Sequence, residues 1–569
     1  MRKITKLLFS ILLLSAFVIL HADNCCCNNS CCSTSCSSSC NNSCGNNCCG
    51  CSSKSCCHCE CRVQAHSTFV VRPQYQVGSP EYLTAFRDRM NARGGDCAKG
   101  GGLQLTLFGG RSTKAGKLAS YFTPDCKTCL LTRGEEPRDI DEQHFNIRLA
   151  DENALFESKI QFCPRISTMG LGITYRQNLS KLKDDFDPDK KHWWFEISTP
   201  LTRVETTMGL SECLTYTGGR EPGTIEGLDQ KFYSNMKCAF NQSAWCYGKI
   251  NGCCKCTKTR LADISLMIGY ETFKCDTCIL DGYFGLLIPT GNERCGKYVF
   301  EPMVGHDNHW GIIKGFHLKG TLWENEENSR IIEVAHDSQG AYLFKKDEIR
   351  SFDLKCKPWS RYMEVYKNEA QAQTAADLTE TNLTAAQFLS SPGINTFTKC
   401  LCVRPGLSLA SNVAMIYSGC RFRGEIGYNM YWRQSECVEL CCWKEGPALK
   451  ATEGGGNTNP LRTISQDKSI IEVNIPLTTV CDPECYDQGV NITEPIEKYE
   501  NSIIKACDID LESATHPGFV SNTLYLSAGG HWDDRDYPLF FDVGGSYEFG
   551  CENVVLNRWT AWIKGGVSF

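Results

Sequence analysis

Beyond its first 22 residues, this 569-residue sequence contains no apolar run approaching 18 residues, the length from which a membrane-spanning helix is read. Its mean hydropathy of -0.29 excludes a multi-helix membrane protein. Charge of one sign is scarce too: 59 Lys and Arg stand against 65 Asp and Glu, for a net charge of -6, which argues against a protein that coats nucleic acid. Gly-x-Ser-x-Gly, His-Glu-x-x-His and phosphate-loop signatures are all missing, so the sequence offers no motif for an enzyme. Cysteine is what the chain has in excess, with 39 residues. A chain this long is nevertheless no small disulfide scaffold; its length suits two or three domains or one large all-β body.

The chain begins with Arg2, Lys3 and Lys6, continues with the apolar stretch Leu7–Leu20, and reaches a small residue at Ala22. A basic start, a short apolar core and a small residue form the pattern of a cleaved secretion signal. Residues 1–22 are therefore expected to be removed, and the mature protein exported. With no later apolar helix, an exported chain is soluble, surface-bound, or inserted as a closed β-barrel, the other structure that satisfies its backbone in lipid.

Residues 23–62 form a low-complexity arm of Cys, Asn, Ser and Gly. It carries fifteen cysteines: Cys25, Cys26, Cys27, Cys31, Cys32, Cys36, Cys40, Cys44, Cys48, Cys49, Cys51, Cys56, Cys57, Cys59 and Cys61. So few apolar groups cannot build a core, which predicts a disordered arm. Disulfide cross-linking suits thiols outside the cytoplasm; a thiolate metal cluster or an inert tether are the other readings. The number is odd, so one thiol at least pairs outside the arm or stays free.

Residues 63–98 read as a lead-in or plug with a short helix from Ser79 to Met90, capped by the serine with Pro80 in the first turn. From residue 99 to the end, period-two alternation dominates. Trp559, Ala561, Ile563, Gly565, Val567 and Phe569 share one face of the final segment; Arg558, Thr560, Trp562, Lys564, Gly566 and Ser568 share the other. Phe541, Val543 and Tyr547 alternate with Asp542, Gly544 and Glu548, and Ile426, Tyr428 and Met430 with Glu425, Gly427 and Asn429. The pattern recurs around Ile264–Glu271 and Met169–Arg176, and more briefly at Leu103–Leu107 and Phe145–Leu149. A soluble sandwich and a membrane barrel both alternate. Runs of about 9–12 residues favour the barrel, whose tilted strands must cross the bilayer.

The last strand, with an apolar residue at every second position and Phe569 at its end, resembles the terminal strand of bacterial outer-membrane β-barrels. The segments 193–210, 300–316 and 530–550 resemble large porin-type barrels in texture. That resemblance implies a large antiparallel transmembrane barrel over 99–569, of about 16 strands with 14 to 18 admissible, in the outer membrane of a diderm bacterium. It implies that Trp559, Ile563, Val567 and Phe569 are read by a barrel-assembly machinery. It also implies short periplasmic turns, with polar stretches such as 109–143, 214–258, 367–396 and 443–466 as outer loops.

Asp263, Glu271, Glu425, Arg433, Asp542, Glu548, Arg558 and Lys564 are the expected lumen-lining charges, mixed in sign. Passive diffusion of small hydrophilic solutes is the function the resemblance implies, together with a disulfide-linked envelope shared with other cysteine-rich proteins. A non-conducting surface, adhesin or coat protein, or a secreted disulfide-rich matrix protein, are the rivals. Cys126/Cys129, Cys253/Cys256 and Cys275/Cys278 have zinc or redox spacing, but in an exported protein they read as loop disulfides. His306, Asp307 and His309 could ligate a metal; Asp and Asn there more simply make a turn. No metal, cofactor or nucleic acid is expected.

Overall fold

The structure, a computed structural model, describes residues 66–71 and 99–569, except 125–126, 134–138, 148–155, 183–189, 218–232, 253–254, 276, 326–328, 356–357, 373, 375–388, 445, 450–502 and 551–552. The signal segment, the cysteine arm and the expected helix at 79–90 lie outside the described residues.

Twelve strands form a closed barrel: β1 (Gly101–Ser112), β2 (Arg165–Asn178), β3 (Trp193–Thr207), β4 (Ile264–Cys275), β5 (Cys278–Ile288), β6 (Gly311–Asn325), β7 (Arg330–Leu343), β8 (Gly406–Gly419), β9 (Phe422–Arg433), β10 (Phe519–Trp532), β11 (Leu539–Phe549) and β12 (Arg558–Ser568). Each pairs antiparallel with the next in sequence. Pairing of Gly102–Ser112 with Arg558–Ser568 closes the ring of twelve. One further strand, Cys256–Leu261, continues along the edge of β3 beyond the part that β4 covers.

The expected sixteen strands are twelve. The other extended segments leave the barrel and build small sheets among the connections: Lys346–Ser351 with Thr398–Arg404 and Cys437–Glu439, and Ile140–Asp141, Cys129–Arg133, Phe156–Gln161 and Ser211–Thr217. Period two marks a strand without saying which sheet it joins. Phe145 and Ile147 are not in a strand at all. Glu142–Phe145 is a 3₁₀ turn, and both apolar side chains are buried in a core outside the barrel.

Connection lengths are sharply polarised. Those at the end where β1 starts are 179–192, 276–277, 326–329, 420–421 and 533–538; Phe569 lies at this end too. All the long ones, 113–164, 208–263, 344–405 and 434–518, emerge at the other end, with 289–310 and 550–557. They fold there into a cap whose hydrophobic core runs on into the barrel through Trp194, Met267, Tyr283 and Ile313. Phe145, Phe162, Phe240, Trp245, Trp359 and Tyr362 pack ring against ring at its centre, with centroids 4.9–6.4 Å apart. Such contacts add about 0.5–1.5 kcal/mol each to the area they bury.

The pleat of the barrel runs as the alternation predicts. Leu105, Leu107, Met169, Ile268, Met415, Ile426, Leu524, Leu526, Val543 and Ile563 point outward and are exposed. Aromatic residues flank this aliphatic band. Trp193, Phe273, Trp323, Phe422 and Phe541 lie toward the short-turn end, and Trp310, Phe344, Tyr547 and Trp559 toward the cap. An aliphatic belt between two aromatic girdles is the outer surface of a membrane barrel.

Candidate functional site

The inward face explains why glycine shares it with charge. Gly544 lies opposite Trp562, Gly427 opposite Tyr525, Gly269 opposite Trp194, and Gly315 opposite Tyr283. A Cβ at any of the four would sit 2.1–2.3 Å from the facing ring. Each aromatic therefore lies flat across its neighbour's backbone, and only glycine leaves room.

The remaining inward positions are polar and form pairs across strands. Arg176 bonds Glu196 at 3.2 Å, approaches Asp281 at 3.6 Å, and stacks 3.9 Å over the Trp194 ring. Arg558 bonds Glu548 at 2.8 Å. Tyr525 donates to Glu425 at 2.6 Å, and Trp562 to Asp542 at 3.1 Å. Lys564 stands opposite Asp542 in the register. Among the sequence-derived lumen charges, Glu425, Asp542, Glu548, Arg558 and Lys564 thus line the barrel interior. Their burial was not foreseen: Asp542 is 0% exposed, Lys564 1% and Glu425 2%.

The other three sit at the barrel ends. Asp263 precedes β4 at the cap and accepts from the His306 backbone at 2.8 Å, with the His306 ring at 2.6 Å. Arg433 ends β9 at the cap, bonded to Glu436 at 2.5 Å. Glu271 lies toward the short-turn end, half-exposed, and accepts from the His192 backbone at 3.2 Å. Trp559 and Ile563 face outward and are exposed, whereas Val567 and Phe569 are half-buried. Phe569 exchanges backbone bonds with Gly101 at 2.8 and 2.9 Å and stacks on Tyr175, so it helps close the seam.

Across the capped mouth runs a buried network of charges that the sequence did not announce. Arg294 pairs with Asp307 and, at 3.0 Å, with Glu348. Glu348 also receives the ring of His309, and Arg350 at 3.0 Å. Arg350 reaches on to Glu436 at 2.9 Å, and Glu436 holds Arg433 and the backbone N–H of His516. His516 bonds Tyr121 at 2.8 Å, and the His66 ring packs against Tyr121, tilted by 35° with centroids 4.8 Å apart. The network ties together several of the cap connections and the segment 66–71. Burial pushes the Glu348 carboxyl up, but the guanidiniums of Arg294 and Arg350 outweigh it and hold it well below the usual range. Glu436 is likewise held low by Arg350 against the effect of burial. Burial drives His516 well below its ordinary value although Glu436 pulls it upward.

His306, Asp307 and His309 each have a separate partner, Asp263, Arg294 and Glu348. Asp307 and Asn308 have positive φ, 53° and 62°, so the segment is the turn expected of Asp and Asn. The loop disulfide expected at Cys275/Cys278 is not formed. Cys275 and Cys278 face each other across the tight β4–β5 turn as free thiols. Cys238, Cys246, Cys295, Cys400, Cys437, Cys441 and Cys442 are free and exposed at the capped end. Cys126 and Cys253 lie outside the described residues.

No protein-family model and no characterised protein sequence matches the chain. Solved structures do resemble it. An outer membrane channel from Pseudomonas putida F1 is 8% identical with a TM-score of 0.31, over 82% of this chain and 95% of that one. The transport unit of the autotransporter AIDA-I from Escherichia coli is 5% identical with a TM-score of 0.31, over 82% and 89%. A Pseudomonas aeruginosa FadL homologue is 7% identical with a TM-score of 0.25, over 82% and 89%. At these values the likeness adds nothing to what strand order, pleat and girdles establish: the chain folds as an outer-membrane-type β-barrel.

Proposed function

We propose that the protein sits in the outer membrane of a diderm envelope as a closed barrel and serves as the anchor of a folded, thiol-bearing cap, and not as an open diffusion pore. Burial of the inner wall carries this reading. An aqueous channel wets the charges that line it, yet here the charges on the wall are paired and almost wholly buried. The mouth network adds a second barrier, because separating a buried ion pair costs about 3–5 kcal/mol. In this reading the short turns are periplasmic and the cap faces outward. Lipid surrounds the aliphatic belt, an assembly machinery reads the terminal strand, and the exposed cysteines of the cap offer sites for disulfide links to neighbouring envelope proteins.

Planar-bilayer recording of the purified full-length protein tests the closed state. No unitary current steps are expected. Stable conductance steps at low voltage would overturn it and restore passive diffusion as the function.

A further inference from the structure

The aromatic girdle at the cap end is broken over β1, β2 and β3. Trp310, Phe344, Tyr547 and Trp559 are exposed at that level beside β6, β7, β11 and β12. On β1, β2 and β3 the outward positions carry Arg111, Arg165 and Arg203 instead, all three exposed. Arg111 stands directly opposite Trp559 in the register, so arginine takes over where the girdle stops.

The register also fixes what lies beneath the arginines. One row runs across adjacent strands from Arg203 through Met169, Gly109 and Ala561 to Gly545. Counted from the short-turn end, Arg203 is the eleventh residue of β3 and Gly545 the seventh of β11. The row therefore descends from the arginines toward the midplane. A Cβ at Gly109 or Gly545 would meet nothing nearer than a backbone oxygen at 3.8 or 3.5 Å. These two glycines answer no close neighbour, unlike the four inside the barrel, and with Ala561 between them they leave a shallow groove. Tyr547, Trp559 and Arg111 border it on the cap side; Val543, Ile563 and Leu107, all exposed, border it on the other. Two residues along a strand span about 6.6 Å, room for one hydrocarbon chain.

The arginines have few carboxylates to meet. Among the described residues neither Arg111 nor Arg165 has an ion-pair partner. Arg203 has Glu205 at 4.0 Å, which Lys255 already holds at 2.6 Å. Strand spacing and rise put the three arginine Cα atoms roughly 8–14 Å apart, close enough for their long side chains to converge on one group. Guanidinium suits phosphate, which it can grip through two parallel hydrogen bonds. Solvated arginines need no particular place. Here three occupy adjacent strands at the one gap in the girdle, directly above a groove in the aliphatic belt.

We propose that this face binds an anionic, phosphate-bearing lipid of the cap-side leaflet. Its headgroup rests on Arg111, Arg165 and Arg203, and one acyl chain follows the groove over Gly109, Ala561 and Gly545. The site rests on the membrane reading proposed above, but not on which leaflet is outermost.

Native mass spectrometry of the purified full-length protein in detergent, titrated with lipid A, tests the site. The wild type should retain lipid A, and the triple variant Arg111→Gln/Arg165→Gln/Arg203→Gln should lose affinity by about tenfold or more. Arg421→Gln/Arg535→Gln, exposed at the opposite turns, should bind as the wild type does. Equal affinity of the wild type and the triple variant overturns the site. Equal affinity for dephosphorylated lipid A overturns the headgroup assignment, and displacement of lipid A by inorganic phosphate alone means a soluble anion site instead. Gly109→Leu fills the groove without touching an arginine and should also weaken binding; unchanged binding there overturns the path of the acyl chain. Flotation with phosphatidylcholine vesicles keeps the two readings apart. Wild-type protein that does not float sinks the membrane reading, whereas a triple variant that floats and binds lipid A normally sinks this site alone.

Discussion

Barrel and cap use one chain in two solvents, and their apolar residues point in opposite senses. On the barrel, Leu105, Ile268, Leu526 and Ile563 face away from the protein and charge faces in. In the cap, Phe145, Phe240, Trp359 and Phe397 face in, and few large apolar side chains, such as Leu214, are exposed. A membrane barrel draws no stability from hiding its aliphatic belt in its own interior; it needs every backbone group paired and the belt in hydrocarbon. The cap must win its stability as a soluble domain does, from buried area. The buried charges of the mouth lie where these two regimes meet.

If the two regions are separate in energy as well as design, damage to one should spare the other. The largest effect is expected at Glu348. Glu348→Ala leaves Arg294, Arg350 and His309 facing no carboxylate at that point, in a place where each side chain is almost wholly buried. Removing one partner of a buried pair costs about 3–5 kcal/mol. Limited trypsin digestion of the refolded protein should then degrade the cap while a heat-modifiable barrel fragment survives on a gel. Loss of both together would show one cooperative unit and end the distinction.

A smaller effect, of about 2–4 kcal/mol, is expected for a lipid-facing charge near the midplane. Ile563 is 50% exposed in the aliphatic belt. Ile563→Arg should depress folding yield into lipid vesicles, and Ile563→Leu should not. The cap's resistance to trypsin should be unchanged in whatever fraction does fold. Equal yields for the two variants would mean that the belt does not meet hydrocarbon.

These contrasts also explain which parts of the molecule were legible in the sequence. A strand wetted by lipid on one face and packed on the other writes its pleat directly into period two, so Trp559/Trp562 and Phe541/Asp542 were assigned to the correct faces. The same signal could not say that Cys129–Arg133 or Lys346–Ser351 leave the barrel, because a cap strand buried on one face alternates in the same way. The mouth network was invisible for another reason. Arg294, Asp307, Glu348, Arg350 and Glu436 come from separate connections with no motif spacing, and only the folded chain brings them together. His306, Asp307 and His309 carried a faint sign of it, as three titratable residues in one short turn. The docking of His66–Val71 had no sequence signal beyond a short β-branched stretch, Thr68 to Val71.

The finest test uses proton binding at that docked segment. His66 is 3% exposed, and neither ring nitrogen has a hydrogen-bond partner. Burial lowers its pKa to about 4, against an opposing pull from Glu436. A histidine depressed in the folded state favours folding while neutral. That contribution is complete above the unfolded value of 6.5 and is lost as pH falls toward 4. At pH 5 such a group weakens folding by about 2 kcal/mol, and at pH 7 by only a few tenths. His66→Phe keeps a flat ring against Tyr121, 4.8 Å away, and removes the proton site. The cap of the variant should match the wild type in thermal unfolding at pH 7.5 and exceed it at pH 5, with the difference opening between pH 6.5 and 4. The barrel's own transition should stay where it was at both values. Identical acid sensitivity in the two proteins would mean that His66 is solvated, and that segment 66–71 does not dock in the cap.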